Sequence, residues 1–424
     1  MLQEEKNAAT PGSGAVAPYT KADPSLAPGT RHAGFTVTDV LPLPELAGTA
    51  YVMRHDATGA RAMWIAVDDN EKSFSIAFKT APANSTGVFH ILEHSVLCGS
   101  ERFPVKEPFV NLLKTSMQTF LNALTFPDKT MYPVASTNAA DLKNLVDVYL
   151  DAVLHPAIYQ RPRIFEQEGW HLELQDADGN AAAPTDPDAR LAYNGVVFNE
   201  MKGALSDPDE VLFEAVNQSL FPDTPYRFES GGDPRHIPEL SYQEFLDTHA
   251  RHYNLANSYT ILYGNLDIED MLAFVGSRFN AATDRGAGAP NPLPLQAPVR
   301  APFRQVTMAT APENASVGLA YVIGCAADRD RVLATDVLLD ALAGSNEAPL
   351  KRAVLDADLG DDFTATLVDG ELQPQVLFQL KGAKPGVARR FRQLVEDTCA
   401  RLAADGIDRT KLEASLAQGE FNLR

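Results

Sequence analysis

The sequence predicts an α+β protein with two similar domains, each a mainly antiparallel sheet with helices packed on one side. Short alternating runs typical of strands are grouped with longer stretches that have the 3.6-residue period of helices. The same order returns on a smaller scale after a segment rich in Ala, Gly and Pro at 281–301. A chain of 424 residues is also longer than one hydrophobic core usually supports.

The first domain is predicted to span residues 31–280, after a leader at 1–30 whose Ala, Pro, Gly and Ser content indicates disorder. Its central helix, Val88–Leu97, is expected to begin at Ser85 or Thr86, because both residue types favour the N-cap. Further helices are predicted at Glu107–Lys114, Asp141–Leu154, Gly195–Leu205, Pro208–Leu220 and Ile268–Phe279, and strands at Phe35–Leu41, Ala50–Arg54, Ala62–Val67, Ser73–Phe78, Phe120–Thr125, Met131–Ala135 and Ser258–Tyr263.

Residues 281–301 are predicted to form a linker, because Pro and Gly interrupt regular structure there. A second α+β domain is expected at 302–424. Because its last helix runs to Arg424 without a cap or a closing strand, we expect this domain to be truncated. Its strands are predicted at Gln305–Thr310, Val317–Ile323 and Gln375–Leu380, and its helices at Arg329–Ala343, Ala348–Leu355, Gly386–Ala404 and Thr410–Arg424.

The composition narrows the possible partners and compartments. A net charge of -20 argues against nucleic acid and anionic membranes as partners, although excess acid also serves solubility. The three cysteines are widely spaced, which indicates a reducing compartment rather than a disulfide framework. The sequence shows no signal peptide, transit peptide or transmembrane run, so the cytoplasm is the predicted location.

The most informative motif is His90-Ile91-Leu92-Glu93-His94, an inverted H-x-x-E-H zinc pattern. Residues four apart lie on one face of a helix, so both imidazoles reach the same ion. Glu93 then lies beside the metal without ligating it, and its carboxylate can move a proton between the attacking water and the leaving amine. The alternative is that both histidines are ordinary helix residues with Glu93 as a surface partner.

A catalytic zinc usually has three protein ligands, and several later residues compete for the third place. Glu200 stands in an apolar stretch, Val196–Gly203, where an unpaired carboxylate is costly to bury. A metal would remove that cost, but the residues alone leave the choice open. The candidates are Glu166, Glu168, His171, Glu173, Glu200 and Glu210, and the glutamates around Trp170 look more like surface or supporting groups.

Several longer strings resemble the presequence proteases, a branch of the pitrilysin and insulin-degrading enzyme superfamily of zinc peptidases. The inverted motif alone marks the superfamily, and the longer strings mark the branch. The resemblance runs from about residue 33 to the end and weakens after residue 300. It is carried by Gly87–Ser100, Lys106–Phe109, Phe120–Thr125, Gln167–His171, Gly195–Gly203 and Ser230–Pro234.

The resemblance implies a set of functional residues. The family's third zinc ligand matches Glu200, and one Zn²⁺ per chain is expected on His90, His94 and Glu200 with Glu93 as the general base. Family members add unfolded peptides to a sheet edge inside a chamber made of two halves, which is physically sensible because backbone pairing makes few demands on sequence. The residues matching that edge are Leu121, Asn122, Ala123, Leu124 and Thr125.

The resemblance also implies a missing part. Family members are considerably longer, and their second half supplies an Arg and a Tyr that help to hold substrate. We therefore expect either a metalloendopeptidase for short unstructured peptides or a zinc-carrying half that is inactive without a C-terminal half or an equivalent partner chain. A structural metal domain is disfavoured, because such sites are usually closed by four protein ligands.

Overall fold

The computed structural model describes residues 23–105, 108–282, 291–300 and 303–422. Most of the predicted leader, nine of the 21 residues of the predicted linker and part of the Lys106–Phe109 string lie outside these ranges. The α+β class is confirmed, and the buried apolar residues form two clusters, one from Leu26 to Phe279 and one from Leu339 to Val395. The domain boundaries at 30, 280 and 301 remain predictions, and Leu26 of the predicted leader is buried in the first cluster.

Five strands precede the first α-helix, and groups of helices and strands follow along the described chain. The strands are β1 (Arg31–His32), β2 (Phe35–Leu43), β3 (Gly48–His55), β4 (Arg61–Ala66), β5 (Lys72–Lys79), β6 (Gln118–Leu121), β7 (Leu124–Thr125), β8 (Lys129–Ser136), β9 (His171–Gln175), β10 (Arg190–Asn194), β11 (Ser258–Tyr263), β12 (Val317–Val322), β13 (Asp362–Val368) and β14 (Gln375–Lys381). The helices are α1 (Val88–Val96), α2 (Pro108–Thr115), α3 (Ala139–Leu154), α4 (Pro162–Glu168), α5 (Val196–Ala204), α6 (Pro208–Leu220), α7 (Tyr242–His252), α8 (Ile268–Ala281), α9 (Arg329–Ala343), α10 (Pro349–Asp356), α11 (Ala388–Asp405) and α12 (Arg409–Asn422). None of these helices is long and apolar enough to cross a membrane.

The first unit is built on one large sheet. Its strands follow the order β1-β2-β3-β4-β11-β5-β8-β6, and β7 also pairs with β8. Strand β11 is parallel to β4, while the other pairs are antiparallel. Strand β5 alternates buried and half-buried residues, and its Phe74, Ile76 and Phe78 are fully buried, as expected for a strand with one face on the core. Strands β6 and β7 therefore lie at one edge of the sheet.

Most predicted elements are confirmed, and the errors have physical reasons. Gln305–Thr310 alternates like a strand, but it forms none and most of its residues are exposed. The predicted strand Phe120–Thr125 is divided, because Asn122 and Ala123 break it into β6 and β7. Alternation predicts which face of a strand would be buried, but it cannot supply the neighbouring strand that the ladder needs.

The second unit is a smaller layered core. Strands β12, β14 and β13 form an antiparallel sheet in that order. Helices α9, α10 and α11 contribute to the apolar core on this sheet, in which Leu350, Phe363 and Phe391 are fully buried. Helix α6 of the first unit also packs on this sheet, where Leu212 lies against Gly318 of β12. The second sheet therefore takes part in the contact between the two units.

Polar pairs join the two units along β14. The carboxylate of Asp209 accepts hydrogen bonds from Gln379 and from the Lys381 ammonium, at 2.6 and 2.5 Å. Nearer the other end of α6, Gln375 donates to the side chain of Asn217 at 2.6 Å. Because these groups are partly buried, losing one partner would leave the other unsatisfied. The pairs therefore fix the register of α6 on the strand.

A buried carboxylate lies at a second contact between the units. Glu371, between β13 and β14, is 4% exposed, and neither of its carboxylate oxygens has a hydrogen-bond partner among the described residues. Next to it, the Asp128 carboxylate accepts from Tyr226, and Lys129 donates to both Asp128 and the carbonyl of Gly370. Burial, followed by the charge of Asp128, raises the pKa of Glu371 to about 7, although Lys129 opposes the shift.

This raised pKa predicts how stability depends on pH. Because the folded protein holds the Glu371 proton to higher pH than the unfolded chain, the stabilising contribution is fully present below the ordinary pKa of 4.5 and is lost as pH rises through 7. In Glu371→Gln this titration is absent. We expect the free energy of unfolding of the variant, relative to the parent, to grow by about 2 kcal/mol between pH 5.5 and 8 in urea titrations.

The matched control is Glu313→Gln, because Glu313 is exposed and lies far along the chain from this contact. Its unfolding free energy is expected to follow that of the parent at both pH values. A difference between Glu371→Gln and the parent that stays constant with pH would contradict the assignment.

Candidate metal centre

Helix α1 crosses the core of the first unit and carries the predicted motif. Ile91, Leu92 and Val96 are fully buried on its inner face. His90 and His94 are one turn apart on another face, and their ring centroids are 4.9 Å apart. The core therefore fixes the helix, and the helix fixes the direction of both imidazoles.

A close backbone crossing fixes the start of α1. The N-cap is Gly87, in a left-handed conformation with φ of 66°, and not Ser85 or Thr86 as predicted. A Cβ atom at Gly87 would lie 2.6 Å from the carbonyl oxygen of Gly231, so only glycine allows the approach. The Asp233 amide also donates to the Ser85 carbonyl at 2.8 Å. The loop around Gly231 is thus held against the helix.

Both histidines are oriented through the ring nitrogen that faces away from the site. His90 Nδ1 lies 2.9 Å from the carbonyl oxygen of Gly231, which can only accept, so this nitrogen carries the proton. His94 Nδ1 lies 3.4 Å from a carboxylate oxygen of Glu168. Such outer partners fix the tautomer and direction of metal-binding histidines. The Nε2 lone pairs are therefore left to act as ligands.

The two Nε2 atoms meet the carboxylate of Glu200 on helix α5. His90 Nε2 and His94 Nε2 each lie 3.7 Å from Glu200 Oε2. Tetrahedral zinc with bonds of about 2.0–2.1 Å places its ligand atoms roughly 3.3 Å apart, close to this spacing. Among the described residues, these three form the one group of at least three His, Cys, Asp or Glu side chains that could hold a metal ion. The donor set therefore fits Zn²⁺ with an open fourth position.

The expected burial of Glu200 is wrong, although the structure brings this residue into the group. The Glu200 side chain is 52% exposed, so it is not a buried carboxylate seeking a counter-charge. Its position comes from the start of α5, where Gly195 crosses Gly169. A Cβ atom at Gly195 would overlap the Gly169 carbonyl. Helices α4 and α5 therefore approach each other closely, and Glu200 on α5 points towards α1.

Glu168 supports the centre from behind. It is 6% exposed, and its carboxylate accepts hydrogen bonds from Gln167 at 2.8 Å and from the Cys98 thiol at 3.4 Å. Burial alone would raise the pKa of Glu168, but hydrogen bonds from His94 and Cys98 outweigh it and lower the pKa. Glu168 therefore stays ionised, and Cys98 contacts this support rather than joining the ligand group.

The negatively charged carboxylates around His94 also favour the binding of a cation. Burial lowers the pKa of His94, but the hydrogen bond to Glu168 and the charges of Glu93 and Glu200 overcome this effect and raise the pKa. Glu93 is 8% exposed on α1 and does not belong to the ligand group. The site thus concentrates negative charge where a divalent metal would be held.

The remaining candidates for a third ligand lie outside the group. His171 Nδ1 lies 2.8 Å from the carbonyl oxygen of Glu166, which turns this ring towards its own backbone. The carboxylate of Glu173 accepts from Asn194 at 2.5 Å. Glu210 lies on α6 and is not in the group. Spacing along the chain could not separate these residues from Glu200, because the choice depends on how α4 and α5 cross.

The predicted substrate residues lie at the sheet edge formed by β6 and β7. At Asn122 the amide donates to the carbonyl of Pro133 on β8, and the carbonyl accepts from the buried Tyr149 hydroxyl at 3.3 Å. The Asn122 side-chain oxygen accepts from the Ala123 amide at 3.0 Å. Its side-chain nitrogen has no hydrogen-bond partner in the part of the chain that the structure describes, so it can donate to a ligand. This edge has an outer side on which no described strand is paired.

Comparison with known proteins places this site in a family. A family model described as "Insulinase (Peptidase family M16)" matches residues 79–183, which include the motif on α1. The description "Peptidase M16 inactive domain" matches residues 239–418, which include the second unit. The chain belongs to peptidase family M16.

Similar proteins support this membership. The protein HypA of Clostridium perfringens is 41% identical over 93% of this chain and 40% of its own length. Presequence protease 1 of Arabidopsis thaliana, described as chloroplastic and mitochondrial, is 38% identical over 90% of the chain and 35% of its own length. This M16 chain therefore spans about 40% or less of these two relatives.

A solved structure agrees on the fold. A protease from Helicobacter pylori superposes with a TM-score of 0.61 over 87% of this chain and 83% of the other, at 13% sequence identity. At that identity the likeness concerns the fold alone.

The geometry predicts that Glu200 and Glu168 act differently on metal affinity. In Glu200→Gln the neutral amide is a poorer ligand, so we expect Zn²⁺ affinity to fall by about 100-fold or more. In Glu168→Gln, His94 loses the carboxylate that orients its ring, and we expect Zn²⁺ affinity to fall by a smaller factor of about ten. Competition with a chromophoric chelator would measure both, and circular dichroism would verify folding.

The exposed Glu269→Gln serves as the control, because Glu269 contacts His32 and not the motif. Unchanged Zn²⁺ affinity in Glu200→Gln would remove this residue from the ligand set.

Proposed function

We propose that this M16 chain carries the zinc centre of a metalloendopeptidase that hydrolyses short unstructured peptides. The observation that supports the proposal best is the convergence of His90 Nε2, His94 Nε2 and Glu200 Oε2, with Glu93 beside them on α1. His90, His94 and Glu200 would hold the ion. When bound, Zn²⁺ supplies Lewis acidity and makes water a stronger acid.

The protein's own groups account for the rest of the reaction. Glu93 takes a proton from the attacking water and delivers it to the leaving amine, as a general base and then a general acid. Glu168 and the Gly231 carbonyl hold the imidazoles in one orientation, so no reorganisation is needed during the reaction. Phe89 and Ile91 flank His90 on the buried side of α1 and exclude water there.

The edge at β6 and β7 is proposed to bind the substrate backbone. An extended peptide can pair with Leu121, Ala123, Leu124 and Thr125 as an added strand, while the Asn122 side-chain nitrogen donates to a substrate carbonyl. Pairing through the backbone makes the sequence preference loose. The net charge of -20 favours basic peptides, such as targeting sequences, over acidic ones.

A second candidate is supported by length. The chain spans 40% of HypA and 35% of the Arabidopsis protease. In this alternative the chain is a zinc-carrying half, and cleavage needs further residues from a C-terminal half or a partner chain. The two candidates predict the same metal centre and differ in whether this chain cleaves peptide alone.

The cytoplasm remains our proposed location, with neither nucleic acid nor membrane as a partner. The relatives named as presequence proteases are described as mitochondrial or chloroplastic, which differs from this proposal for the present chain. Fractionation of the source cells, followed by detection with an antibody, would decide between the compartments.

The role of Glu93 predicts a separation of metal binding from catalysis. Glu93→Gln removes the proton acceptor but none of the three ligands. We expect Zn²⁺ content to stay at one per chain while kcat falls by about 100-fold or more. Inductively coupled plasma mass spectrometry and a fluorogenic peptide assay would measure the two quantities. Full activity in this variant would exclude Glu93 from proton transfer.

The two candidate functions are separated by incubating the chain with a basic unstructured peptide, with and without 1,10-phenanthroline. If the chain is self-sufficient, we expect peptide fragments that disappear with the chelator and return when Zn²⁺ is added. Bound zinc without cleavage would favour the half-enzyme, and cleavage that resists the chelator would contradict both candidates. Mass spectrometry of the peptide provides the readout.

A further inference from the structure

The hairpin of β9 and β10 has its apolar face turned outward. Leu172 pairs with Tyr193 and Leu174 pairs with Leu191, so these four side chains share one face. Leu172, Leu191 and Tyr193 are 51%, 63% and 47% exposed. A half-buried hairpin normally places its apolar side chains inward. Exposed apolar surface of this kind marks a binding site more often than chance.

The opposite face of the hairpin is polar and partly buried. Glu173 accepts from Asn194 and Gln175 there, at 2.5 and 3.3 Å. Asn194 also accepts from the amide of Gly195 and from Asn199. These bonds join the polar groups of this face to one another and to the start of α5, and Glu173, Gln175 and Asn194 are all partly buried. The outward direction of the leucines is therefore built into the hairpin.

Both ends of the hairpin are attached to the metal centre. Strand β9 begins three residues after Glu168, which supports His94, and β10 ends six residues before Glu200. Val196 is 43% exposed and lies one helical turn before Glu200, so the two share a face of α5. Tyr193 connects the hairpin to α5 and to the segment before β9. Its ring centroid lies 5.8 Å from that of Trp170 and 5.9 Å from that of Phe198. The apolar surface is thus continuous with the face that carries the ligand.

We propose that Leu172, Leu191, Tyr193 and Val196 form a subsite for one large apolar side chain of the peptide substrate. This inference rests on the proposed function and adds a side-chain preference to it. A substrate side chain is the expected occupant, because the surface continues from the proposed metal-binding face, where the scissile bond would lie. An extended peptide advances about 3.3 Å per residue, so only side chains within a few residues of that bond reach the subsite.

The subsite explains how a loosely specific enzyme can still favour certain peptides. Backbone pairing at the β6 edge gives affinity to any extended chain, whereas the hairpin rewards Leu, Ile, Phe or Met at one position. Its lining has no charged group, so a charged side chain at that position would lose hydration without gaining a partner. The preferred substrates are therefore basic peptides that carry a large apolar residue within a few positions of the scissile bond.

The test uses unstructured peptides of Lys, Ser and Ala in which a single Leu is moved along the chain, each paired with its Leu→Ser counterpart. For the parent protein, we expect cleavage at a constant distance from the Leu. The best Leu peptide should exceed its Ser counterpart in kcat/KM by about fivefold or more. In Leu172→Ser and Leu191→Ser this ratio should fall towards one.

Leu416→Ser is the matched control, because Leu416 is 57% exposed on α12 and lies outside this surface. Its Leu/Ser ratio should equal that of the parent. A ratio that survives in both hairpin variants overturns the subsite. Sedimentation provides a second check. If the parent is a dimer and Leu191→Ser is a monomer, the surface joins two copies of the chain, and this result also overturns the subsite.

A failure of the proposed function has a different signature. If the parent cleaves neither peptide of a pair, the same peptides carrying fluorescein are titrated with zinc-loaded protein, and anisotropy gives the ratio of their Kd values. A ratio of about five that disappears in the hairpin variants supports the subsite without catalysis. Equal Kd values for the Leu and Ser peptides overturn the subsite whether or not the chain is a peptidase.

Discussion

The close contact of backbone with backbone around helix α1 is the constraint on which the candidate metal centre depends. Gly87 lies against Gly231 at the start of α1, and Gly195 lies against Gly169 where α4 meets α5. Neither crossing leaves room for a Cβ atom, so each brings main chains closer than side chains would allow. The first crossing places a carbonyl on the far nitrogen of His90. The second brings the helix of Glu200 to the two histidines.

Local sequence predicted the parts of the fold that depend on periodicity. Helices α1, α3 and α9 and the strands from β2 to β5 follow their apolar patterns, because each contributes buried residues to one of the two cores. The hairpin of β9 and β10 was not predicted, although its leucines alternate with polar residues as in the other strands, and its apolar face points outward. Gln305–Thr310 has the pattern of a strand but pairs with no described strand.

In the candidate site, too, local sequence predicted some residues and could not predict others. His90 and His94 could be placed from a spacing of four residues, since a helix alone brings them together. Glu200 needed the family resemblance, and the burial argument for it was wrong because the side chain is half exposed. The outer partners of the rings, Gly231 and Glu168, are 141 and 74 residues away from the histidines they orient. No local pattern predicts contacts of that range.

The second unit bears on the metal centre through a short path. Helix α5 carries Glu200 and is followed, after one turn, by α6, which packs on the sheet of the second unit. There Asp209, five residues after the end of α5, accepts hydrogen bonds from Gln379 and Lys381 of β14. A shift of that sheet would move α6 and, because the turn is tight, α5 with it. No described residue of the second unit belongs to the candidate ligand group, yet this unit restrains the position of Glu200, the one member that is not on α1.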